Sequence, residues 1–401
     1  MKQQAQATPL IHLFWIFLKL GCTSFGGPVA HIGFFHLEFV KKRRWYDEQE
    51  YLQLVALCQF LPGPASSQVG MAIGYKVRGY LGSLVSFLGF TLPSALLMTL
   101  FAVTLISDSA LTHSSIFYML KLFAVAVVLH AICNMLKAQL KGYLAGFICV
   151  ASTVFALVFS GIASQIVIIS LAGLVANLYD QKKPQPQEAA SIMTFKRQAG
   201  FRLIISYALL LLCIPMISEW LDSNAYLELF AGAYQAGALV FGGGHVVLPL
   251  LEAKFVAPDL INPEQFLAGY SLAQAIPGPL FTFASYLGAL FPGISPAWGA
   301  ILATIGIFLP GYLLVIGLLP YWQYICESAK LKASIQGINA SVIGLLIATF
   351  ISPVVTHSIH SITDASIALV LFICLYFVKL APYTLLFISL IAALIVDYAY
   401  F

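Results

Sequence analysis

The amino-acid sequence predicts an all-α polytopic membrane protein made of two inverted-topology helical repeats with broken helices or re-entrant hairpins. Three observations lead to this fold class. Of 401 residues, 60% are hydrophobic and only 9% are charged, whereas a soluble domain has about 25% charged residues. A Pro-Gly-Pro motif interrupts apolar sequence twice, and basic residues collect in the loops of only one half of the chain.

Long apolar runs predict the membrane crossings, because each is close to or above the ~20 residues of one span, and the third and the last are long enough for hairpins. They lie at about 80–106, 114–136, 142–179, 203–218, 298–320, 333–352 and 364–396. The amino-terminal run lacks a small-x-small cleavage site, so we expect it to be retained. The seven cysteines are scattered singly, which predicts packing residues and neither disulfides nor a metal site or other cofactor.

The motifs Pro62-Gly63-Pro64 and Pro277-Gly278-Pro279 each predict a helix broken inside the membrane. The residue before a proline is pushed out of the helical region, so helices should end at about Leu61 and Ile276. The second proline of each motif suits the start of a new helix. Such breaks persist in lipid only when they are buried in protein or line a watery cavity, and a helix N-terminus there attracts anions.

Three landmarks recur in the second half at nearly constant spacing, which indicates an internal duplication. Pro277 follows Pro62 by 215 residues. Phe241-Gly242-Gly243-Gly244 follows Phe25-Gly26-Gly27-Pro28 by 216, and Leu309-Pro310 follows Leu92-Pro93 by 217.

Loop charge predicts that the two halves have opposite orientations, since Lys and Arg collect on cytoplasmic loops. The first-half loops carry Lys41, Lys42, Arg43, Arg44, Lys76, Arg78, Lys137 and Lys141, whereas their second-half counterparts are acidic or uncharged. The extra apolar segment 203–218 supplies the odd crossing that this inversion needs. We therefore expect repeats at 1–180 and 223–401, a cytoplasmic linker at 181–202 and a connecting transmembrane helix at 203–222.

The ordered motifs of both halves resemble the long, two-repeat form of the chromate ion transporter family, over nearly the whole chain. The matching residues are Phe25-Gly26-Gly27-Pro28, His31-Ile32, Trp45, Pro62-Gly63-Pro64, Phe241-Gly242-Gly243-Gly244, Val247 to Glu252 and Pro277-Gly278-Pro279. The resemblance implies a multi-pass secondary transporter of the cell inner membrane that exports chromate, an oxyanion shaped like sulfate, with proton coupling. An oxyanion channel or a sulfate-type anion carrier of the same fold is the alternative.

A buried oxyanion needs hydrogen-bond donors and positive potential, which opposed helix N-termini would supply. The first-choice site is therefore the pair of Pro-Gly-Pro breaks, and the Phe-Gly-Gly stretches come next. The alternative is that the prolines only kink packed helices and the glycines only allow close packing. The predicted substrate-binding residues are Gly26, Gly27, Gly63, Ser66, Ser67, Gln68, Gly242, Gly243, Gly278, Thr282 and Lys19.

Four titratable residues are candidates for carrying a coupled proton: His31, His245, Glu38 and Glu252. The alternatives are hydrogen-bonded structural histidines and carboxylates at the membrane interface. Lys19 could offset the charge of the anion, whereas Lys121 lies close enough to the start of its segment to snorkel. Gln336 and Asn339 are further candidates for lining the cavity.

The sequence lacks common enzyme motifs, since it contains no G-x-x-x-x-G-K-[ST] loop and no H-E-x-x-H. The expected partners are the oxyanion, protons and the lipid bilayer, without nucleic acid. A homodimer is left open by the sequence.

Overall fold

The computed structural model describes residues 8–107, 114–159, 161–179, 197–221, 224–322 and 328–400, and in these ranges all regular secondary structure is helical. Most of the predicted linker 181–202 lies outside the described residues, so the domain boundaries stay predictions. Five of the helices are long and apolar enough to cross a membrane, which confirms the all-α polytopic membrane class.

The first repeat contains seven helices. They are α1 (Leu10–Thr23), α2 (Gly27–His36), α3 (Glu48–Phe60), α4 (Ala65–Ser107), α5 (Ser115–Gln139), α6 (Tyr143–Val158) and α7 (Ile162–Tyr179). A π-helical turn, Leu37–Lys42, extends α2. Arg78 and Gly79 have non-helical backbone angles, so α4 consists of two helices that meet there.

The second half contains the additional helix α8 and eight helices that correspond in order to those of the first repeat, if α4 is counted as two helices. They are α8 (Arg197–Trp220), α9 (Ala225–Leu239), α10 (Val247–Phe255), α11 (Pro263–Ala275), α12 (Phe283–Leu290), α13 (Pro296–Leu318), α14 (Ala329–Thr349), α15 (Ile362–Tyr376) and α16 (Pro382–Tyr400). A π-helical turn, Phe350–Val355, extends α14, and 3₁₀ turns precede α10 and α12.

Both predicted helix breaks are confirmed. Helix α3 ends at Phe60 and α11 ends at Ala275, and the next residues, Leu61 and Ile276, have extended backbone with ψ of 150° and 140°. The following proline forces this conformation, because a helical residue at that position would clash with its ring. Helix α4 begins at Ala65, directly after Pro64, as expected.

The short helices of the first repeat form two hairpins that enter and leave on the same side. The 13-residue α3 is only ~20 Å long, too short for the ~30 Å hydrocarbon core. Lys76 at the end of the limb after the break forms an ion pair of 2.9 Å with Glu50 near the start of α3. Likewise, Arg78 donates from Nε to the carbonyl of Thr8, just before α1. The Pro-Gly-Pro and Phe-Gly-Gly stretches are therefore the tips of re-entrant hairpins.

The equivalent hairpins of the second repeat open on the opposite side. The second part of α4 has about 28 residues and spans ~42 Å, so the start of α5 lies across the membrane from Arg78. There Lys121 of α5 forms an ion pair of 2.9 Å with Glu264, in the first turn of α11. This opposite placement agrees with inverted topology.

The last two helices of each repeat pack on the other repeat. Helices α6 and α7 lie against α14, where Thr153 donates to the carbonyl of Gly344 at 3.1 Å. Helices α15 and α16 lie against α5, and the hydroxyl of Tyr118 in α5 donates to Asp364 in α15. This exchange of hairpins makes the two repeats one interlocked body.

Helix α8 breaks the symmetry by covering only the second repeat. Tyr207 of α8 donates to the carbonyl of Ala238 in α9 at 3.0 Å. The corresponding helix of the first repeat, α1, instead leaves Ile11, Trp15 and Lys19 exposed. Lys19 therefore lies on an uncovered face of the protein.

We predict that Arg44 faces the cytoplasm and Asp259 the outside. Both are exposed in loops at opposite ends of the repeats. In a chain whose own cysteines are replaced, Asp259→Cys should react with an impermeant maleimide on intact cells, and Arg44→Cys only in inverted vesicles. Reaction of both positions from the same side would exclude inverted repeats.

Candidate functional site

Each Pro-Gly-Pro tip is hydrogen-bonded to the Phe-Gly-Gly tip of the other repeat. The amide of Gly63 donates to the carbonyl of Val240, just before Phe241, at 2.8 Å. The amide of Gly278 donates to the carbonyl of Ser24, just before Phe25, at 3.0 Å. The same contact thus occurs twice, and it brings all four predicted helix breaks into one region.

Each tip also packs on the helix that carries the Leu-Pro motif of the other repeat. A Cβ added at Gly63 would lie 3.2 Å from the Cα of Gly311, and one added at Gly278 would lie 2.8 Å from Oγ of Ser94. Ser94 and Gly311 each follow a Leu-Pro pair. A side chain at either position would press on the other repeat.

The side chain of Gln68 links the two repeats by hydrogen bonds. Its Nε2 donates to the carbonyls of Pro62, at 2.9 Å, and Gly311, at 3.3 Å. A carbonyl can only accept, so the nitrogen must face these two oxygens and cannot also serve an anion. In this conformation Gln68 holds the break in place, and its side-chain nitrogen is occupied by the protein, so its predicted role in substrate binding stays a prediction.

His31 connects three of the chain segments at the tips. It is 1% exposed, and its Nε2 donates to the carbonyl of Ser24 at 3.1 Å. Since that carbonyl accepts, Nε2 carries the hydrogen, and Nδ1 of a neutral ring accepts from the hydroxyl of Ser66 at 3.3 Å. The carbonyl of Ser24 therefore accepts from both His31 and Gly278, so the two breaks share one acceptor.

His245 in the second repeat has a different environment. Its Nδ1 lies 2.8 Å from the hydroxyl of Tyr270 in α11. In the first repeat another tyrosine, Tyr51 of α3, makes a contact of similar kind by donating to the carbonyl of Ile32 at 2.6 Å. Both tyrosines tie the hairpin after the glycines to the hairpin that carries the Pro-Gly-Pro tip.

One glycine of each Phe-Gly-Gly tip borders open space. A Cβ added at Gly27 or Gly243 would have no atom within 4 Å apart from its chain neighbours and its own helix backbone. Gly26 and Gly243 are exposed. The two tips are adjacent, because a Cβ at Gly244 would lie 3.3 Å from Cγ of Pro28. A small solute could approach these backbones closely.

A cavity of about 710 Å³ leads to the second Phe-Gly-Gly tip. Its lining includes Lys141, Gln336, Gln139 and Asn339. The Nε2 of Gln139 donates to the carbonyl of Gly242 at 2.8 Å, and a Cβ at Gly242 would lie 3.1 Å from the side-chain oxygens of both Gln139 and Asn339. The cavity lies at the end of α5, on the side of Arg78, which the loop charges predict to be cytoplasmic.

Free hydrogen-bond donors are concentrated at the start of α4. The first amides of a helix have no partner four residues earlier, which applies to Ala65, Ser66 and Ser67. The hydroxyl of Ser67 is 2% exposed with no hydrogen-bond partner among the described residues. Its counterpart Thr282 is satisfied, because it donates to the carbonyl of Pro279 at 2.8 Å.

The charged candidate residues differ in whether they form ion pairs. Glu38 is ion-paired with Arg43 at 2.6 Å and with Lys42 at 3.3 Å, at the end of the first hairpin. Lys121 is paired with Glu264. Lys19 has no ion-pair partner among the described residues, and Glu252 borders a separate cavity.

The motifs gave no indication of the acceptors Ser24 and Val240 or of Gln139. Ser94 and Gly311 could have been found from the sequence, since both follow the aligned Leu-Pro pairs. Gln139 had no such signal, because it lies between two lysines in what looked like an ordinary basic loop.

Comparison with known proteins identifies the family of the chain. The sequence profile of the family described as Chromate transporter matches residues 11–178 and 227–396. A chromate transport protein of Pseudomonas aeruginosa is 29% identical over 84% of this chain and 80% of its own length.

Two further relatives match at similar levels. A chromate transport protein of Cupriavidus metallidurans is 26% identical over 90% of this chain and 86% of its own length. An uncharacterized transporter of Methanocaldococcus jannaschii is 26% identical over 95% of this chain and 92% of its own. No solved structure matches the chain. The two profile matches cover both repeats, and the chain therefore belongs to the chromate transporter family, which is a family of membrane transporters and not of enzymes.

Proposed function

We propose that this protein exports chromate, or a similar dianionic oxyanion such as sulfate, across the cell inner membrane in exchange for a cation. The observation that carries the proposal is the convergence of four helix breaks through the Gly63–Val240 and Gly278–Ser24 hydrogen bonds. Helix breaks at membrane depth present backbone donors to a substrate without exposing them to lipid. The printed names of the relatives in Pseudomonas and Cupriavidus support chromate as the substrate.

The anion would reach the tips through the 710 Å³ cavity, where Lys141 provides positive potential. Its oxygens would accept from the unpaired amides of Ser66 and Ser67 and from the backbone at Gly27. Gly63 and Gly278 contribute differently from what the sequence suggested, since their amides are occupied by the other repeat. They would hold the tips together, and they would free their donors only when the repeats separate.

The joined tips favour a carrier over a channel. Two backbone hydrogen bonds and tight glycine packing close the region between the repeats, whereas a channel would need a continuous opening. We therefore expect transport to involve alternate separation and closure of the repeats. The exposed face of α1 is left for lipid or for a second copy, and the mass of the purified protein in detergent decides between them.

Lys19→Gln is predicted to slow chromate transport about fivefold, equivalent to ~1 kcal/mol. Lys19 lies one to two turns before the first Phe-Gly-Gly tip, on the exposed face of α1, and has no ion-pair partner among the described residues. Its charge would attract the anion. Transport is measured as initial chromate uptake into inverted vesicles, corrected for protein level.

The matched control is Lys121→Gln. This lysine already pairs with Glu264, and a partly exposed pair of this kind contributes ~1 kcal/mol or less to stability. We expect near-normal transport. Equal, small effects of both substitutions would assign Lys19 to the lysines that snorkel.

The function is tested by uptake of labelled chromate and sulfate into inverted vesicles with and without a pH gradient. Accumulation against the concentration gradient, driven by the pH gradient, is the expected result. Flux that only follows the anion gradient would indicate a channel. Absence of both chromate and sulfate flux would contradict the proposal.

A further inference from the structure

A second, smaller cavity of about 150 Å³ lies between α6, α7, α10 and the end of α14. Its polar lining consists of Ser164, Gln165, Glu252, Thr349 and Ser352. Glu252 is the one titratable side chain among the described lining residues, and its carboxylate has no hydrogen-bond or ion-pair partner in the described part of the chain.

Gln165 directs an unsatisfied oxygen into this region. The side chain is only 7% exposed, and its Nε2 donates to the carbonyl of Pro249 at 3.0 Å. Because that carbonyl cannot donate, the orientation of the amide is fixed and Oε1 must point the other way. This oxygen has no partner among the described residues. Pro249 precedes Glu252 by three residues, so both lie on one face of α10.

The donor set fits a small monovalent cation. A carboxylate, an amide oxygen and hydroxyl groups are hard oxygen ligands that repel anions. Calcium sites generally use more than one carboxylate, and here a single negative charge is present. A volume of 150 Å³ is well above the ~10–15 Å³ that one water molecule needs, which leaves room for an ion with part of its hydration shell.

The first repeat has no equivalent arrangement at Glu38, the carboxylate near the end of its own post-glycine helix. Arg43 and Lys42 already neutralise Glu38, so it has no use for a further cation. The two carboxylates look alike in sequence and differ in their partners. This difference provides a matched control within the same chain.

Helices α7 and α14 border both cavities. The 710 Å³ cavity contacts Asn339 and Tyr179, and the 150 Å³ cavity contacts Thr349 and Ser164 on the same two helices. Asn339 and Thr349 are ten residues apart, or ~15 Å along α14. The small cavity lies toward the side predicted to be external, so a cation there and an anion in the larger cavity would act on the same helices from opposite ends.

We propose that the pocket of Glu252 and Gln165 binds a small monovalent cation, a proton or Na⁺, and is the site that couples cation entry to anion export. Its role in coupling rests on the proposed function, whereas the binding of the cation does not. The two cations share the same chemistry at a carboxylate. Transport driven by a pH gradient or by a sodium gradient distinguishes them.

The test uses the full chain reconstituted in liposomes. Glu252→Gln should reduce cation-gradient-driven chromate accumulation roughly tenfold or more, while chromate–chromate exchange continues, because exchange needs no net cation movement. Gln165→Leu should raise the cation concentration needed for half-maximal transport by about tenfold. Glu38→Gln should leave both assays at the wild-type level. Accumulation by Glu252→Gln equal to that of wild type would overturn the proposal.

Cation binding is checked separately by thermal unfolding in detergent at constant ionic strength. The wild-type Tm should rise with NaCl relative to choline chloride, or on mild acidification, more than the Tm of Glu252→Gln does. Equal shifts in the two proteins would overturn the site even if chromate is transported. If the wild-type protein shows no chromate–chromate exchange but its Tm shift depends on Glu252, the result would contradict the anion function and support the cation site.

Discussion

Valine at Gly63 or Gly278 is expected to abolish chromate transport. The two glycines have φ of 115° and 103°, a region that is closed to β-branched residues and costs about 1 to 3 kcal/mol for other side chains. A Cβ would also press on Gly311 or Ser94 in the other repeat. The tips would be displaced and the cross-repeat hydrogen bonds lost, which we expect to lower transport by about 100-fold or more.

Removal of the hydroxyls should have much smaller effects. Ser67→Ala deletes one donor but leaves the backbone amides, so about 1 kcal/mol and a fewfold rise in the half-saturating chromate concentration are expected. Thr282→Ala should do less, because its hydroxyl is already bonded to Pro279. Chromate uptake at matched protein level gives the order. Normal transport by well-expressed Gly63→Val and Gly278→Val would exclude the tips from the transport mechanism.

A paired substitution separates local strain from misfolding. Gly278→Ala places a methyl group 2.8 Å from Oγ and 3.1 Å from Cβ of Ser94, and Ser94→Gly removes both atoms. We expect the double variant to transport better than Gly278→Ala alone, although the backbone strain remains. No recovery in a well-expressed double variant would mean that the contact with Ser94 is not what limits Gly278.

The helix breaks and the duplication could be predicted from sequence because prolines act locally. A proline excludes its preceding residue from the helix whatever surrounds it, so the ends at Phe60 and Ala275 follow from the motif. Constant spacing of the landmarks then indicated two repeats. The broken helices lie where the motifs placed them.

The pairing between the breaks could not be predicted in this way. The bond from Gly63 to Val240 joins residues 177 positions apart, and nothing in either motif specifies its partner. The two Pro-Gly-Pro motifs were expected to face each other, and the hydrogen bonds from each to the Phe-Gly-Gly stretch of the other repeat were not expected. The sequence also does not specify the partners of buried side chains. Gln68, for example, donates to the carbonyl of Gly311 in the other repeat.

Glu38 and Glu252 have similar positions after the two Phe-Gly-Gly stretches, but their ion-pair partners differ for reasons that these stretches do not contain. Glu38 lies on a π-helical turn that brings Arg43 within 2.6 Å. The helix with Glu252 ends without an equivalent arginine and packs against Gln165 from the first repeat. Their separation into a paired and an unpaired group depends on the exchanged hairpins, which the sequence did not reveal.

Aspartate at Gly27 should block transport far more than asparagine at the same position. Gly27 has φ of 76°, which Asn and Asp tolerate better than other side chains, and a Cβ there meets open space. The two residues have nearly the same shape. Aspartate is in addition favoured in the first turn of a helix, so Gly27→Asp should not destabilise α2 more than Gly27→Asn does.

The difference between these variants then reports the charge of the solute that passes. Two unit charges ~4 Å apart repel by about 4 kcal/mol at an effective dielectric constant of 20, and a dianion feels more. After allowance for screening we expect Gly27→Asp to transport chromate about 100-fold more slowly than Gly27→Asn, from initial uptake rates at equal protein level. Asparagine itself should slow transport only severalfold, by narrowing the approach. Equal rates for the two variants would show that the anion does not pass the first Phe-Gly-Gly tip, and binding would then have to occur at the second tip, beside Gln139 and Asn339.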